Sequence, residues 1–128
     1  MRKFEVISFD QFKKDVCNDK ELYKSIELPK RSTKNSAGYD IRSIENYTLK
    51  PGESKVFKTG LKVNMNSDEV FFVFDRSSFG FKYDIMLSNS VGVIDSDYYN
   101  NEDNEGHVSI CLINHNDKPL EIKIGDAL

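Results

Sequence analysis

The sequence predicts an all-β sandwich or barrel that is preceded by a short N-terminal helical segment. Short runs of strand-like residues recur along most of the chain, and clusters of turn-forming residues separate these runs. The turn clusters include Pro51-Gly52, Asn66-Ser67-Asp68 and Asn116-Asp117. No internal repeat, low-complexity tract or linker interrupts the 128 residues, so we expect a single domain over residues 1–128.

The N-terminal elements are predicted to be a strand and one or two turns of helix. Residues 4–7 have a strand-like pattern. Ser8-Phe9-Asp10-Gln11 then matches a capping box, in which Gln11 reaches back to the Ser8 amide. Apolar residues at helical spacing predict a helix over residues 9–17. Residues 18–21 offer a second cap with a further turn of helix, and residues 29–36 form a polar, basic loop.

Eight candidate strands make up the rest of the chain. They are Tyr39–Ser43, Tyr47–Lys50, Ser54–Met65, Glu69–Asp75, Asp84–Ser88, Val91–Ile94, His107–Asn114 and Leu120–Ile124. Residues 70–74 are continuously apolar, which predicts a strand that is buried on both faces or that faces a neighbouring subunit.

Composition and charge exclude several classes of function. The hydrophobic fraction is 38% and the charged fraction is 30%, so much of the chain is surface or shares a core with partner subunits. A net charge of -3 argues against binding a nucleic acid polymer. No apolar run approaches the roughly 18 residues of a membrane span. Cys17 and Cys111 form no CxxC pair, and two free thiols predict a cytoplasmic protein.

Four segments carry candidate chemistry, although searches for widespread catalytic motifs fail. The chain has no P-loop, HExxH, GxSxG or glycine-rich dinucleotide motif. His107 and His115 have no cysteine or carboxylate at ligand spacing, so they are interpreted as solvated or strand-facing. The four segments are Ala37-Gly38-Tyr39-Asp40-Ile41, Asp75-Arg76-Ser77-Ser78-Phe79-Gly80, Ile85–Tyr98 and Gly125-Asp126-Ala127-Leu128.

The second and third segments suggest phosphate and base recognition. Arg76, with its planar fork, and the hydroxyls of the two following serines suit phosphate oxygens, although a polar strand end with a surface ion pair explains them too. The third segment resembles a hairpin whose turn exposes backbone groups that can pair with a pyrimidine. An ordinary hairpin with Asn89 stabilising its turn is the alternative. Apolar residues hold the carboxylate of Asp95 rigidly near the aromatic face of Tyr98, as a nucleotide-hydrolysing site requires.

Together and in this order, the four segments resemble the motifs of the trimeric deoxyuridine triphosphatase (dUTPase) family. The resemblance extends from about residue 37 to the end of the chain. It implies a distorted jelly-roll-like β barrel and a homotrimer with shared active sites. It also implies cleavage of dUTP to dUMP and pyrophosphate with Mg2+ as the cofactor.

The resemblance further implies roles for single residues. Asp95 is the expected general base, which activates water for attack on the α-phosphorus. Substrate phosphates are expected to bind Arg76, Ser77 and Ser78. The uracil-binding turn and strand contain Asn89, Gly92, Val93 and Ile94. Tyr98 is expected to pack against the deoxyribose, and Asp40 to reach Mg2+ through water.

Three departures from the family pattern are visible. Seven residues, Tyr99 to Glu105, separate Tyr98 from Gly106, where the family more often has one, and we interpret them as a longer loop that alters subunit contacts. Asp75 stands where a proline is common. The sequence ends at Leu128, so the fourth motif's glutamine and the glycine-rich fifth motif, a phosphate clamp, are absent. A chain ending there is expected to bind triphosphate more weakly but to keep nucleoside recognition.

Two other functions fit the same residues. A nucleotide-sensing or regulatory protein would keep the pocket with weak or no turnover. A dCTP deaminase relative would share the fold, but it needs a glutamate and partner residues that the sequence does not reveal. A structural β domain with chance motifs, the remaining alternative, predicts no nucleotide binding at all.

Overall fold

The computed structural model describes residues 2–128 and confirms the all-β class. The strands are β1 (Lys3–Val6), β2 (Tyr47–Leu49), β3 (Ser54–Lys58), β4 (Leu61–Asn64), β5 (Val70–Val73), β6 (Ile85–Leu87), β7 (Gly92–Asp95), β8 (Ser109–Asn114) and β9 (Leu120–Ile122). The helices are α1 (Phe9–Asp15), α2 (Lys20–Lys24), α3 (Ser77–Tyr83) and a 3-10 turn (Ser96–Tyr98).

The strands of the described residues form four small antiparallel sheets rather than one closed barrel. Strands β1 and β4, β2 and β9, and β5 and β7 form separate pairs, while β3, β8 and β6 form a three-stranded sheet in that order. Most neighbours are far apart in sequence, so long-range pairing brings the third predicted motif beside the strand that precedes the second.

One continuous apolar core lies between these sheets. Phe57, Leu49, Ile85 and Leu112 are almost completely buried in it, and they come from four different strands. Alternation along β8 is regular, with Ile110, Leu112 and Asn114 inside. The alternation of residues along β8 thus matches the alternation of its buried and less buried side chains.

The N-terminal segment forms a second, smaller core. Ile7, Phe12 and Ile44 are buried together, and the partly buried residues Phe9, Val16, Leu22, Tyr23 and Ile26 pack around them. Ile26 also packs against the main core, so it joins the two clusters. We call residues 2–26, which comprise β1, α1 and α2, the N-terminal unit.

The predicted helix starts are confirmed, but half of the predicted capping box is wrong. The Ser8 hydroxyl accepts a hydrogen bond from the Gln11 amide at 3.2 Å, and Asp19 caps α2 in the same way. Gln11 does not reach back to Ser8, because its side chain donates to Asp15 instead. Glu105 accepts the Ser8 backbone N–H in its place, at 2.7 Å.

Two strand predictions were wrong, and one helix was missed. Tyr39–Ser43 is not a strand, since Asp40 and Arg42 form only isolated bridges with Lys30 and Ala127. Ser54–Met65 is two strands that pair with different partners, divided at Gly60, which has a φ of 75°. Helix α3 was not predicted.

Strand β5 is not buried on both faces in the single chain. Val73 is buried, whereas Val70, Phe72 and Phe74 are 45%, 49% and 66% exposed. The other predicted possibility, that this face meets a neighbouring subunit, therefore stays open. Over residues 2–128, the helices are all too short or too polar to cross a lipid bilayer.

Candidate active site

Strand β7 positions the third predicted motif against β5. The register places Gly92 opposite Val73 and Asp95 opposite Val70. A Cβ atom on Gly92 would lie 3.0 Å from the Val73 Cβ, so a glycine allows the two strands to approach here. Strand pairing thus fixes the backbone that carries Asp95, and the 3-10 turn that follows brings Tyr98 to the same side.

The structure gathers all six predicted residues of this motif around one open cleft of about 360 Å³. The cleft is lined by Val73, Asn89, Gly92, Val93, Ile94, Asp95, Asp97, Tyr98, Val108 and Ser109. Asp95 is exposed, and among residues 2–128 no ion pair engages its carboxylate. A carboxylate in this position is free to contact water or ligand. We call this space the Asp95 cleft.

Residues 85–98 do not form the predicted hairpin. Strand β6 pairs with β8 and β7 pairs with β5, so the turn between β6 and β7 crosses from one sheet to another. The turn is tight: the Val91 amide donates to the Asn89 carbonyl at 2.8 Å, and the Asn89 side chain donates to the Val91 carbonyl at 3.4 Å. The structure therefore gives Asn89 its turn-stabilising contact and also places it on the Asp95 cleft.

Hydrogen bonds hold Tyr98 at its side-chain hydroxyl and at its backbone carbonyl. Its hydroxyl donates to the His107 carbonyl at 3.2 Å and accepts from the Asn104 side chain at 2.7 Å. The Asn101 side chain donates to the Tyr98 carbonyl, also at 2.7 Å. Gly106 is required at this point. It has a φ of 86°, and a Cβ atom on it would lie only 2.7 Å from the Tyr98 carbonyl oxygen. The ring is therefore fixed before any ligand arrives.

The second predicted motif begins a helix rather than ending a strand. Arg76 is the N-cap of α3, and its guanidinium lies 5.7 Å from the centre of the Phe79 ring. Arg76 and Ser77 are exposed and Ser78 is half-buried. The alternative ion pair with Asp75 does not form, since that carboxylate accepts the Leu87 backbone N–H at 3.3 Å instead.

The phosphate-binding candidates lie at the far end of the β5–β7 pair from Asp95. Asp95 is opposite the first residue of β5, whereas Arg76 follows its last residue. Arg76 shares a cavity of about 440 Å³ with Asp40, and a second cavity with Ser78 and Asp126. The chain thus brings Arg76 near residues of the first and fourth motifs, whereas Asp95 lines a different cavity.

His107 has a carboxylate partner that sequence spacing did not reveal. Its Nδ1 lies 2.6 Å from the Asp15 carboxylate, and its Nε2 accepts the Gly60 backbone N–H at 2.9 Å, so the ring is a neutral Nδ1–H tautomer. Burial lowers the pKa of His107, and the Asp15 carboxylate opposes this only in part. The interpretation of His107 as partnerless was wrong, because Asp15 is 92 residues away along the chain.

The loop of residues 99–105 also contacts the N-terminal unit. The Glu105 carboxylate accepts from the Ser8 hydroxyl and amide and from Lys62 at 3.0 Å. Burial alone would raise the pKa of Glu105, but these hydrogen bonds lower it below the ordinary value of 4.5. The Tyr99 hydroxyl donates to Glu5 at 2.8 Å. These partners could not be identified from sequence spacing.

Residues 2–128 contain no group of three or more His, Cys, Asp or Glu side chains that could hold a metal ion. Asp40 is half-exposed, and its backbone N–H donates to the Lys30 carbonyl at 3.0 Å. Asp40 lines the same cavity as Asp75 and Arg76.

Comparison with known proteins agrees with this geometry. The sequence model of the dUTPase family matches residues 24–128. The deoxyuridine 5'-triphosphate nucleotidohydrolase of Lactococcus lactis is 50% identical over 103 residues, which cover 80% of this chain and 69% of that protein. The crystal structure of dUTPase from Streptococcus mutans superposes with a TM-score of 0.78 and 38% identity, covering 98% of this chain and 88% of the other.

A more distant structure shows the fold alone. The D95N mutant dUTPase from phage phi11 of S. aureus has a TM-score of 0.74 at 21% identity, and covers 100% of this chain and 86% of its own. That protein coordinates a structural Mg(II) ion. The fold and the carboxylate-bearing cleft define an all-β protein of the nucleotide hydrolase class. The chain belongs to the dUTPase family.

Proposed function

We propose that this chain hydrolyses dUTP to dUMP and pyrophosphate, with Asp95 as the general base. The observation that carries the proposal is the Asp95 cleft, where an exposed carboxylate, a strand edge and a fixed tyrosine face one space. A carboxylate is ionised at neutral pH, so it can orient water and take its proton during attack on the α-phosphorus.

The cleft also explains selection of deoxyuridine. Backbone groups of the Asn89–Ile94 segment present donors and acceptors to the uracil edge, and the close backbone excludes the methyl group of thymine. A cytosine would leave buried polar groups unpaired, which disfavours it by about 1–3 kcal/mol for each group. Tyr98 covers the deoxyribose and leaves no space for a 2'-hydroxyl.

We propose that the phosphates bind at Arg76, Ser77 and Ser78 of a neighbouring subunit. Arg76 presents two parallel N–H donors to phosphate oxygens, and the serine hydroxyls add neutral donors. Asp95 and Arg76 lie at opposite ends of one strand pair and line different cavities, so one chain does not offer both to one nucleotide. A shared site in a homotrimer would bring them together.

An exposed apolar stripe supports the same assembly. Val70, Phe72 and Phe74 project from β5, and Val93, which is 60% exposed, pairs with Phe72. Such a stripe is typical of a surface that is covered by a partner. Sedimentation of the wild type as a trimer, and of Phe72→Glu as a monomer, would support the homotrimer, with Leu28→Glu as the control of similar exposure. A wild-type monomer would overturn it.

Mg2+ is the proposed cofactor, and it would be held mainly by the substrate phosphates with Asp40 contributing through water. The cavity lined by Arg76 also contains Asp40 and Asp75, and Mg2+ is usually bound by one or two carboxylates plus phosphates. When bound, the ion would offset the charge of the triphosphate. Free Cys17 and Cys111 support a cytoplasmic location.

The test is pyrophosphate release from dUTP in the presence of Mg2+. Asp95→Asn should lower kcat about 100- to 10,000-fold, because it removes the proton acceptor while keeping the side-chain shape. Asp68→Asn makes the same change of charge in an exposed turn and should match the wild type. Equal rates for Asp95→Asn and wild type would remove Asp95 from this role. Ammonia release from dCTP, measured in parallel, would identify the deaminase alternative.

A further inference from the structure

The loop between the 3-10 turn and β8, residues 99–106, is bound on its outer side to the N-terminal unit. Glu105 accepts two hydrogen bonds from Ser8, at 2.6 and 2.7 Å, and a third from Lys62. The Tyr99 hydroxyl reaches Glu5, and Lys62 also donates to Asn100 at 2.7 Å. The loop therefore takes its position from β1, the start of α1 and β4.

On its inner side the same loop binds Tyr98. Asn104 donates to the Tyr98 hydroxyl at 2.7 Å, and its own oxygen accepts the Gly106 amide at 3.0 Å. Asn101 links the two, since it donates to both the Tyr98 carbonyl and the Asn104 side-chain oxygen. The position of the tyrosine ring is thus determined by side chains that do not line the Asp95 cleft.

We infer that Asn104 is a positioning residue that acts through the Tyr98 hydroxyl and sets the enzyme's preference for deoxyribose over ribose. The inference rests on the proposed function, in which Tyr98 covers the sugar. A ring anchored at its hydroxyl cannot move aside for a 2'-hydroxyl, whereas an unanchored ring can rotate about its side-chain bonds and admit one.

The longer loop, with seven residues where the family more often has one, thereby acquires a function within the subunit. An effect of this loop on subunit contacts stays a prediction; within the chain the loop contacts the N-terminal unit and Tyr98. The family match begins at residue 24, so the loop connects Tyr98 to residues of β1 and the start of α1 that lie outside that match. Together these contacts fix the Tyr98 ring in the Asp95 cleft.

The experiment measures the affinities of dUMP and UMP by titration calorimetry, because binding reports on the sugar pocket independently of turnover. The chain should bind dUMP more tightly. Asn104→Ala should reduce the dUMP-to-UMP affinity ratio about fivefold, as expected when the Tyr98 hydroxyl loses one of its two neutral hydrogen bonds and keeps the one to the His107 carbonyl. Glu102→Ala, an exposed change in the same loop, should keep the wild-type ratio.

A double-mutant cycle distinguishes positioning from a general loosening of the loop. Tyr98→Phe keeps the ring but removes the hydroxyl, so it should lower the ratio as Asn104→Ala does. Adding Asn104→Ala to Tyr98→Phe should then change the ratio no further. If Asn104→Ala does not fold, Asn104→Asp takes its place in the cycle, since it keeps the acceptor for the Gly106 amide but loses the amide donor to the Tyr98 hydroxyl.

Three results would overturn the inference. They are an unchanged ratio in Asn104→Ala, an unchanged ratio in Tyr98→Phe, and equal effects of Asn104→Ala with and without the Tyr98 hydroxyl. A wild-type chain that binds dUMP selectively alongside any of these keeps the proposed function and sinks only the role of Asn104. If the wild-type chain binds neither nucleotide, both the proposed function and the role of Asn104 are contradicted.

Discussion

The Asp95 cleft and the start of α3, the two halves of the proposed site, differ in how firmly contacts within one chain hold their side chains. In the Asp95 cleft, β7 is paired with β5 and hydrogen bonds fix both the hydroxyl and the carbonyl of Tyr98. At the start of α3, Arg76 and Ser77 are exposed, and no side-chain hydrogen bond caps the helix. The half proposed to bind the nucleoside is held by contacts within one chain, whereas the half proposed to bind phosphate presents exposed side chains to solvent.

The difference indicates how the work of recognition is divided. Discrimination between similar bases and sugars requires groups that do not move, because small steric differences must be detected. A triphosphate is long, flexible and highly charged, so it can gather mobile cationic and hydroxyl side chains around itself. We therefore expect changes to the two halves to alter different parts of the binding free energy.

Arg76→Ala is expected to give the largest difference between the effect on dUTP turnover and the effect on deoxyuridine binding. The loss of a forked donor to the developing phosphate charge should lower kcat/KM for dUTP on the order of 100-fold. Binding of deoxyuridine, which has no phosphate, should be unchanged. Steady-state kinetics and calorimetry measure the two quantities, and Arg76→Lys provides the variant that keeps charge but loses the fork. Parallel loss of deoxyuridine affinity would show that the halves are not separate.

A smaller effect, confined to the half proposed to bind the nucleoside, is expected from Gly106→Ala. A Cβ here would lie 2.7 Å from the Tyr98 carbonyl oxygen, and the residue has a φ of 86°. We expect the free energy of unfolding to fall by about 1–3 kcal/mol, measured with urea. Gly52→Ala is the matched control, since its φ of 77° carries similar strain but no atom lies within 4 Å. An equal loss in both would exclude the steric clash.

Through His107, acid should weaken the half proposed to bind the nucleoside. Its pKa is below the ordinary value of 6.5 in the folded chain, so the unfolded chain takes up a proton first as the pH falls. The stability present at pH 7 should therefore decrease below about pH 6.5. The lowered pKa values of Asp15 and Glu105 extend the decrease through the pH range of ordinary carboxylates.

Urea unfolding at pH 7.5, 6.5 and 5.5 would measure this dependence. His107→Gln keeps an acceptor for Gly60 and a donor for Asp15 but cannot be protonated, so its stability should vary less across that range. An identical slope in the variant and the wild type would show that His107 does not cause the decrease.

The smallest effect on stability is expected from Asn89→Ala. Its side-chain hydrogen bond to the Val91 carbonyl is 3.4 Å long and exposed, so the free energy of unfolding should change by less than about 0.5 kcal/mol. Deoxyuridine affinity should nevertheless fall if Asn89 contacts the base. A stability loss without an affinity loss would reduce Asn89 to its role in the turn.

The sequence predicted best where the determinants are local. Strands β2, β5, β6, β7, β8 and β9 follow short apolar or alternating runs, and the Asp95 cleft is lined mainly by neighbours in sequence. Helix α3 was missed because residues 77–83 contain a glycine, two serines and three aromatics, which have weak helix propensity.

Long-range partners were beyond the reach of spacing arguments. Nothing in residues 85–98 distinguishes a hairpin from two strands that pair with β8 and β5, because the choice depends on where those strands lie. The Asp15–His107 pair and the Ser8–Glu105 bonds span 92 and 97 residues. They also explain why the capping-box glutamine is displaced, since Glu105 already occupies the Ser8 amide.

The Tyr98 hydroxyl has one further consequence. It donates its only hydrogen bond to the His107 carbonyl, and its oxygen already accepts one from the Asn104 side chain. A sugar hydroxyl pressed against this residue would therefore lose its hydration and meet the apolar face of a ring whose donor is already used. The pocket would therefore reject ribonucleotides because the ring is bulky and because it offers the ribose 2'-hydroxyl no hydrogen-bond donor.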